Sequence, residues 1–436
     1  MRLNTFIILT SLLSLFTTVS QAQENVSTLE NSFTFEEFIG YVKQHHPLIK
    51  QAELVLTTGE ANLLKARGGF DPKIEVDYDR KKFKGTEYYD QLNATFKIPT
   101  WYGIELKGNF EENTGEFLNP NLTVPEDGLY SAGVSFSLAQ GLLINERMAT
   151  LKKARFFEQQ TQADRDLLVN NLIFEGSLAY FDWLEAENEK RIYTTFLKNA
   201  TTRRKAVERS VEEGDKAAID ITEARITEQN RRLNLEAATL KAQKARLVVS
   251  TFLWLDGIPL EINETVNPVF PDLTVLDASL LLAGITDVSV FMANHPKLRS
   301  LDAKINSLEV DRFLKKNKLL PKVNLQYNFL TPDGDQLNSL NTANYKAFVD
   351  VSFPIFLRKE RGDLRLAKIK VQDAEYERSA STLSIQNKLE ATQAEITSLA
   401  TQNILIANIV TDYEALVKAE ERKFFLGGSS LFLINS

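Results

Sequence analysis

Arg209-Ser-Val-Glu-Glu-Gly214-Asp-Lys-Ala-Ala-Ile-Asp220-Ile-Thr-Glu-Ala-Arg225 interrupts what otherwise reads as one helical run from Leu151 to Leu255. Glycine enters the left-handed region without a Cβ penalty, so Gly214 ends one helix, and Asp215 stands where a side chain can cap the next. The stretch predicts the tip of a helical hairpin with two long arms. A second tip, Arg422-Lys-Phe-Phe-Leu-Gly427-Gly428-Ser429-Ser430-Leu-Phe-Leu-Ile434, resembles it. At an offset of 213, Glu208/Glu421, Arg209/Arg422, Gly214/Gly427 and Ile221/Ile434 coincide. The chain reads as a duplicated unit.

The arms leading from these tips are long. At ~1.5 Å per residue, a helix of 60-odd residues spans on the order of 95 Å, more than a compact domain accommodates. On the first arm Leu172, Gly176, Ala179, Trp183, Ala186, Tyr193, Leu197 and Ala200 follow spacings of four and three, with many small residues. On the return arm Ile226, Leu233, Leu240, Leu247 and Trp254 recur every seven. A strict seven-residue period implies left-handed supercoiling against neighbouring helices. A solvent-exposed zipper has the same period, but the small residues favour close multi-helix packing. The return arm is expected to end at Asp256-Gly257, before an irregular linker with room for one short strand.

A second duplication lies upstream of each long helix. At an offset of 249, His46-Pro47/His295-Pro296 and Pro72/Pro321 align without a gap, together with Glu60/Glu309, Lys73/Lys322 and Tyr78/Tyr327. The first copy opens with Phe33-Thr34-Phe-Glu-Glu37-Phe38, a capping box (Thr34 with Glu37) inside a hydrophobic staple (Phe33 with Phe38). Beyond each second proline the period changes to two. Ile74, Val76 and Tyr78 alternate with Glu75, Asp77 and Asp79, and Val323, Leu325, Tyr327 and Phe329 with Asn324, Gln326 and Asn328. Residues 131–138 and 346–355 alternate likewise, the latter placing Lys346 and Asp350 among the polar set; 92–98 and 104–110 do so only in the first copy. Such strands suit a soluble sheet packed on one side, or a transmembrane barrel with apolar side chains on lipid and acids and amides in a wet lumen. Tyr88, Tyr89, Trp101, Tyr102, Tyr130 and Tyr345 near the strand ends suit interfacial aromatic girdles.

Composition narrows the class. Residues 1–22 have a basic start, an apolar run from Phe6 to Phe16 and small residues at Ser20 and Ala22, the pattern of a cleaved export signal. No later segment approaches the ~20 apolar residues of a transmembrane helix, so a membrane location implies a β-barrel. The sequence has no cysteine, hence no disulfide, thiolate site or lipid anchor on a cysteine. A net charge of −7 argues against nucleic acid as a partner. Three histidines, no Gly-rich phosphate loop, no Ser/His/Asp set and no HExxH motif leave no catalytic centre, no metal site and no cofactor. Glu212 and Glu213 read as a solvated tip, and Glu75, Asp77 and Asp79 as lumen-lining charge rather than a cation site. The chain is not read as an enzyme.

Signal peptide, two-fold strands and Gly-centred helical hairpins, all duplicated, resemble the TolC-like outer-membrane efflux protein family from about Phe33 onward. The resemblance implies a mixed α/β membrane protein, a homotrimer whose chains share one outer-membrane barrel continued by a coiled α-helical periplasmic tunnel. Its implied division is a signal peptide (1–22), a first repeat (23–257) with strands over 72–138, a linker (258–286) and a second repeat (287–436) with strands over 321–355. It further implies that the tips meet a periplasmic adaptor bound to an inner-membrane transporter, through Arg209, Gly214, Asp215, Asp220, Ile221, Arg422, Gly427, Gly428, Ser429 and Ser430. Glu75, Asp77, Asp79, Asn324, Gln326, Lys346 and Asp350 would face the lumen, with lipid outside. The implied function is the passive exit duct of a tripartite efflux system. Type I protein secretion is the alternative, and a structural coiled-coil envelope protein the alternative from another class.

Three features depart from the family pattern. Leu433 stands where the first tip has Asp220, so only the first copy keeps the acid. The first copy continues 43 residues beyond Gly214 to Gly257, the second only 9 beyond Gly427, so a return arm of about 34 residues is missing and the expectation is a truncated sequence. The hairpin over 88–110 has no counterpart in the second copy, and either widens the barrel beyond four strands per chain or folds outside it.

Overall fold

A computed structural model describes residues 32–280 and 288–426. In chain order the elements are β1 (Ser32–Phe33), α1 (Phe35–His45), α2 (Pro47–Arg67), β2 (Lys73–Phe83), β3 (Thr86–Pro99), β4 (Ile104–Thr114), β5 (Leu129–Ala139), α3 (Glu146–Glu212) and α4 (Ala218–Ser250). There follow β6 (Trp254–Leu255), β7 (Ile258–Pro259), β8 (Asn267–Pro268), α5 (Leu273–Leu280), α6 (Val288–Asn294), α7 (Pro296–Asn317), β9 (Lys322–Thr331), β10 (Tyr345–Ser352) and α8 (Arg358–Phe425). Among the described residues, no helix is long and apolar enough to cross a membrane. The described chain divides into two compact units, 32–51 with 168–280 and 394–426, and 52–167 with 288–393.

In the first unit the core forms around α1. Its apolar residues recur at helical spacing, and Phe35, Phe38, Ile39 and Val42 are buried against Tyr180 and Trp183 of α3 and Val249 of α4. Thr34 and Glu37 form the reciprocal capping box, and the Phe33 and Phe38 rings meet edge-on at 6.3 Å, so the entry to α1 is as the sequence predicts. The Tyr180 hydroxyl lies 2.8 Å from the carbonyls of Phe33 and Val269 and accepts the Val269 N–H at 3.1 Å, clamping the parallel β1–β8 pair. Burial pushes its pKa up to about 12, so it remains a protonated phenol.

Of the predicted small-residue stripe on α3, Leu172, Gly176, Ala179, Trp183, Ala186 and Ala200 are buried. The heptad residues of α4 lie on the other side: Leu233 is 69% exposed, and Ile226, Leu240 and Leu247 are exposed too. Trp254 falls outside that heptad. The helix ends at Ser250, and Asp256 and Gly257, both left-handed, form the two-residue turn of the β6–β7 hairpin instead of the helix stop. The segment expected as an irregular linker also contains β8 and α5.

The second unit is built on one antiparallel six-stranded sheet of order β10-β9-β5-β4-β3-β2. The hairpin peculiar to the first copy therefore lies inside the sheet, as β3 and β4. Strand β2 turns into β3 through Lys84-Gly85, both at positive φ, the backbone that matches strand twist in a tight hairpin. Strand β10 stops at Ser352, short of the expected Ile355, because Pro354 has no N–H for the ladder. Below the sheet, Leu63 and Ala66 of α2 pack with Leu151 and Ala154 of α3. Trp101 stacks on Phe70 at 5.6 Å and packs against this cluster.

Both helices that follow a His-Pro pair start at the proline. The side-chain Nδ1 of His46 accepts the Leu48 N–H at 3.1 Å, and that of His295 accepts the Lys297 N–H at 3.2 Å. Each neutral imidazole satisfies an orphan donor of the first turn. Burial pushes the pKa of both histidines down.

Candidate transport surface and hairpin tip

Strand register sorts the sheet into two chemically distinct faces. One six-strand row reads Ile74, Phe96, Gly108, Ala132, Phe329, Tyr345; the next, on the opposite face, reads Lys73, Lys97, Lys107, Gly133, Asn328, Lys346. The period of two makes every second residue share a face, so one face carries the aliphatic and aromatic side chains and the other the charges, amides and hydroxyls. Leu129, Leu330 and Phe348 are exceptions on the polar face. Arg80, Asp90 and Glu112 are exceptions on the apolar one, where Arg80 is paired with Glu87 and Asp90.

The predicted set Glu75, Asp77, Asp79, Asn324, Gln326, Lys346 and Asp350 occupies a single face, the polar one, spread over β2, β9 and β10. Between them the sheet brings in residues of β3 and β4, whose neighbours a period of two does not specify. Lys97 pairs with Glu75, Lys107 Nζ donates to Gln326 Oε1 at 3.2 Å, and Thr95 donates to Asn109, which donates to Glu111 at 2.9 Å. Lys346 lies 3.8 Å from Glu111. Lys97 occupies Glu75, one of the three acids of β2, and no cluster of metal-ligating side chains occurs among the described residues. The face is a mixed-charge polar surface.

At the hairpin tip, Gly214 is left-handed at φ +84°, as predicted. Its N–H donates to the Val211 carbonyl at 3.1 Å and the Asp215 N–H reaches back to Ser210 at 2.8 Å, a Schellman closure of α3. That closure draws Asp215 into the end of α3, so the next N-cap is Ala217, with no side-chain cap, and Asp215 does not cap. Arg209, Gly214, Asp215 and Arg422 are exposed, Asp220 and Ile221 half-buried. Gly427, Gly428, Ser429 and Ser430 lie outside the described residues, as do Leu433 and residues 1–22, expected as a signal peptide.

Behind the tip a polar contact fixes the two arms. Glu228 of α4 is only 7% exposed, accepts Thr201 Oγ1 at 2.9 Å and Arg204 Nε at 2.5 Å, and lies one turn after the buried Ala224. The Thr201 hydroxyl, then Arg204, hold its carboxyl below the usual range, and Glu228 with Glu208 raises the Arg204 pKa. In sequence Glu228 looked like any charge on a charged helix; only its place four residues after Ala224, on the small-residue face, hinted at burial.

A fold that joins a sheet of opposed faces to helices of 67 and 68 residues has the architecture of outer-membrane channels. The described structure matches the open state of the Neisseria gonorrhoeae MtrE outer membrane channel with a TM-score of 0.64 at 13% identity, over 92% of this chain and 81% of that one. It matches the Campylobacter jejuni CmeC outer membrane channel with a TM-score of 0.62 at 12% identity, over 92% and 78%. For the outer-membrane channel OprN the values are 0.63, 15%, 91% and 82%. Residues 288–432 match the family described as outer membrane efflux protein. Over that span the sequence is similar to outer membrane efflux proteins, and over its described length the chain has the fold of such channels. Among curated proteins none matches the sequence.

Proposed function

We propose that the protein is the outer-membrane exit duct of a tripartite efflux system, passively exporting small molecules when a periplasmic adaptor and an inner-membrane pump engage it. The observation that carries this reading is the sheet, with one polar face, one apolar face and two bare edges. Lipid offers no hydrogen bonds to an open edge, so such a sheet is stable in a membrane only when closed. Three copies share one barrel, with Glu75, Asp77, Asp79, Asn324, Gln326, Lys346 and Asp350 on the lumen and the apolar face on lipid. The helices extend into the periplasm and supercoil there through the exposed Ile226–Leu247 seam. The chain is built from two tandem repeats, 23–257 and 287–436, joined by 258–286. The matching roles of His46 and His295 and the paired prolines support this division.

The tips, with Arg209, Gly214, Asp215, Asp220, Ile221 and Arg422 from the described residues, close the tunnel and meet the adaptor. Opening is a shift between two packings of the tip helices, biased by partner binding. The duct needs no catalytic group and no cofactor, since the pump supplies the energy. The test is outer-membrane fractionation and negative-stain imaging of the native protein, with drug and detergent sensitivity of a deletion strain. A tapered three-fold cylinder and sensitised cells are expected; unchanged sensitivity with a depleted secretome would favour protein secretion, and monomeric rods would overturn the duct.

A further inference from the structure

The family resemblance implies four wall strands per chain, whereas this chain places six in one continuous sheet. Strands β3 and β4 are not an appendage. Each pairs on both sides along most of its length, β3 with β2 and β4, and β4 with β3 and β5. They also keep both faces of their neighbours, the polar row through Lys97 and Lys107 and the apolar row through Phe96 and Gly108. Removing them from the wall would break two ladders, β2–β3 and β4–β5.

The free edges are β2, every residue of which is exposed, and β10. With six strands alternating in direction, β10 of one copy runs antiparallel to β2 of the next. Keeping both faces continuous requires odd-numbered residues of β2 to oppose even-numbered residues of β10. Among such registers, one sets Lys73 opposite Asp350, Asp77 opposite Lys346, Tyr78 opposite Tyr345 and Ile74 opposite Val349. It makes two opposite-charge pairs and an aromatic pair with no like charges opposed. Sliding by two residues one way sets Glu75 against Asp350, and the other way leaves one charge pair; like charges directly opposite destabilise a ladder.

We propose that all six strands of each chain lie in the membrane wall, that the β2 edge takes β10 of a second copy in the Lys73–Asp350, Asp77–Lys346 register, and that three copies close an eighteen-stranded barrel. This rests on the duct reading above and names its interface and its bore. Barrel diameter grows roughly linearly with strand number, and barrels of about 16–18 strands hold an open aqueous channel. The outer opening is then about 1.5 times as wide as one of four strands per chain. It passes bulky hydrated solutes, so size selection falls to the helical part of the duct.

The sequence has no cysteine, so engineered pairs report cleanly. In the proposed register Glu75 faces Phe348 of the next copy. Oxidising outer membranes that contain the full chain with Glu75→Cys and Phe348→Cys is expected to convert monomer into covalent dimer and trimer. The full chain with Asp77→Cys and Ser135→Cys, positions on β2 and β5 that meet only if β3 and β4 leave the wall, is expected to remain uncrosslinked. An intrachain bond in that second variant, with none between copies in the first, overturns the six-strand wall. Crosslinking of Glu75→Cys to Asp350→Cys instead overturns the register. Native mass of the unmodified protein is measured in parallel: a monomer there fails the duct reading itself, whereas a trimer lacking these crosslinks fails only the present proposal.

Discussion

The aromatic core around α1 and the six-stranded sheet solve the same physical problem in opposite ways. Around α1 the chain completes its own packing: Phe38, Val42, Tyr180 and Trp183 are 0% exposed, and the Tyr180 hydroxyl is fully satisfied by local backbone. The sheet buries little within the chain. Ile74 is 75% and Val349 62% exposed, yet its backbone ladders are continuous across all six strands. The first region folds by removing side chains from water. The second makes its hydrogen bonds locally and leaves its apolar face to be covered by something else, which is what a strand must do if its solvent is hydrocarbon. Substitutions in the first should therefore act on the isolated chain, and substitutions in the second on insertion and assembly.

The largest effect expected is at Trp183. It is fully buried in the helical core, so Trp183→Ala removes an aromatic from a packed site and should cost roughly 3–5 kcal/mol. Chemical denaturation of detergent-solubilised protein, followed by far-UV circular dichroism, reads it; a change below about 1 kcal/mol would mean the core is not tight. Next is Gly133, where β5 meets β9. A Cβ there would stand 2.4 Å from the Tyr327 carbonyl oxygen, a backbone atom that cannot turn away. Gly133→Ala should cost about 1–3 kcal/mol, seen as loss of the heat-modifiable barrel species with helical signal retained. If Gly133→Ala melts the helices as well, the contrast between the regions fails.

Two smaller effects probe polar groups in the helical parts. Glu228→Gln keeps the shape but loses the charge-assisted bond to Arg204, a change of about 1–2 kcal/mol that should appear as earlier proteolysis near the tip. The histidine caps give a pH dependence. His46 and His295 accept N–H bonds as neutral rings, and burial holds their folded pKa below the ordinary 6.5. The stabilisation is therefore complete above pH 6.5 and is lost as pH falls through the folded value. The denaturation midpoint should drop between pH 7.5 and 5, and drop less in His46→Asn/His295→Asn, since asparagine accepts the same bond without titrating.

The contrast also explains what the sequence disclosed. Local chemistry was legible wherever a feature depends on a few neighbouring residues: the Thr34–Glu37 box, the Gly214 turn and the proline-bounded helices and strands. The period of two disclosed which residues share a face, and all seven residues read as lumen-facing do share one. It could not disclose which strands become neighbours, because alternation is identical for a strand in the wall and one outside it. Hence the place of the 88–110 hairpin, and the Lys97 and Lys107 neighbours it brings, emerged only from the register. The structure departs from the sequence pattern where a backbone closure overrode a side-chain preference. The Schellman bond took Asp215 away from the cap, and the β6–β7 turn took Trp254 off the heptad.

The smallest effect expected in the chain itself is the most informative about its surroundings. Leu233 and Leu240 lie on the heptad of α4 and are 69% and 52% exposed, while the face toward the α3 stripe is filled by Ala224, Ala238 and Ala242. Replacing both leucines with serine should leave the stability of a dissociated chain within about 0.5 kcal/mol, since neither side chain is packed there. In the proposed trimer the same pair would fill a seam whose seven-residue period has meaning only against a neighbouring helix. The double variant should then lower the thermal midpoint of the assembled species while the dissociated chain melts as before. Equal loss in both forms would place the seam inside the chain's own hairpin and remove the reason for the heptad to be exposed; no loss in either would make it a solvated stripe with no partner.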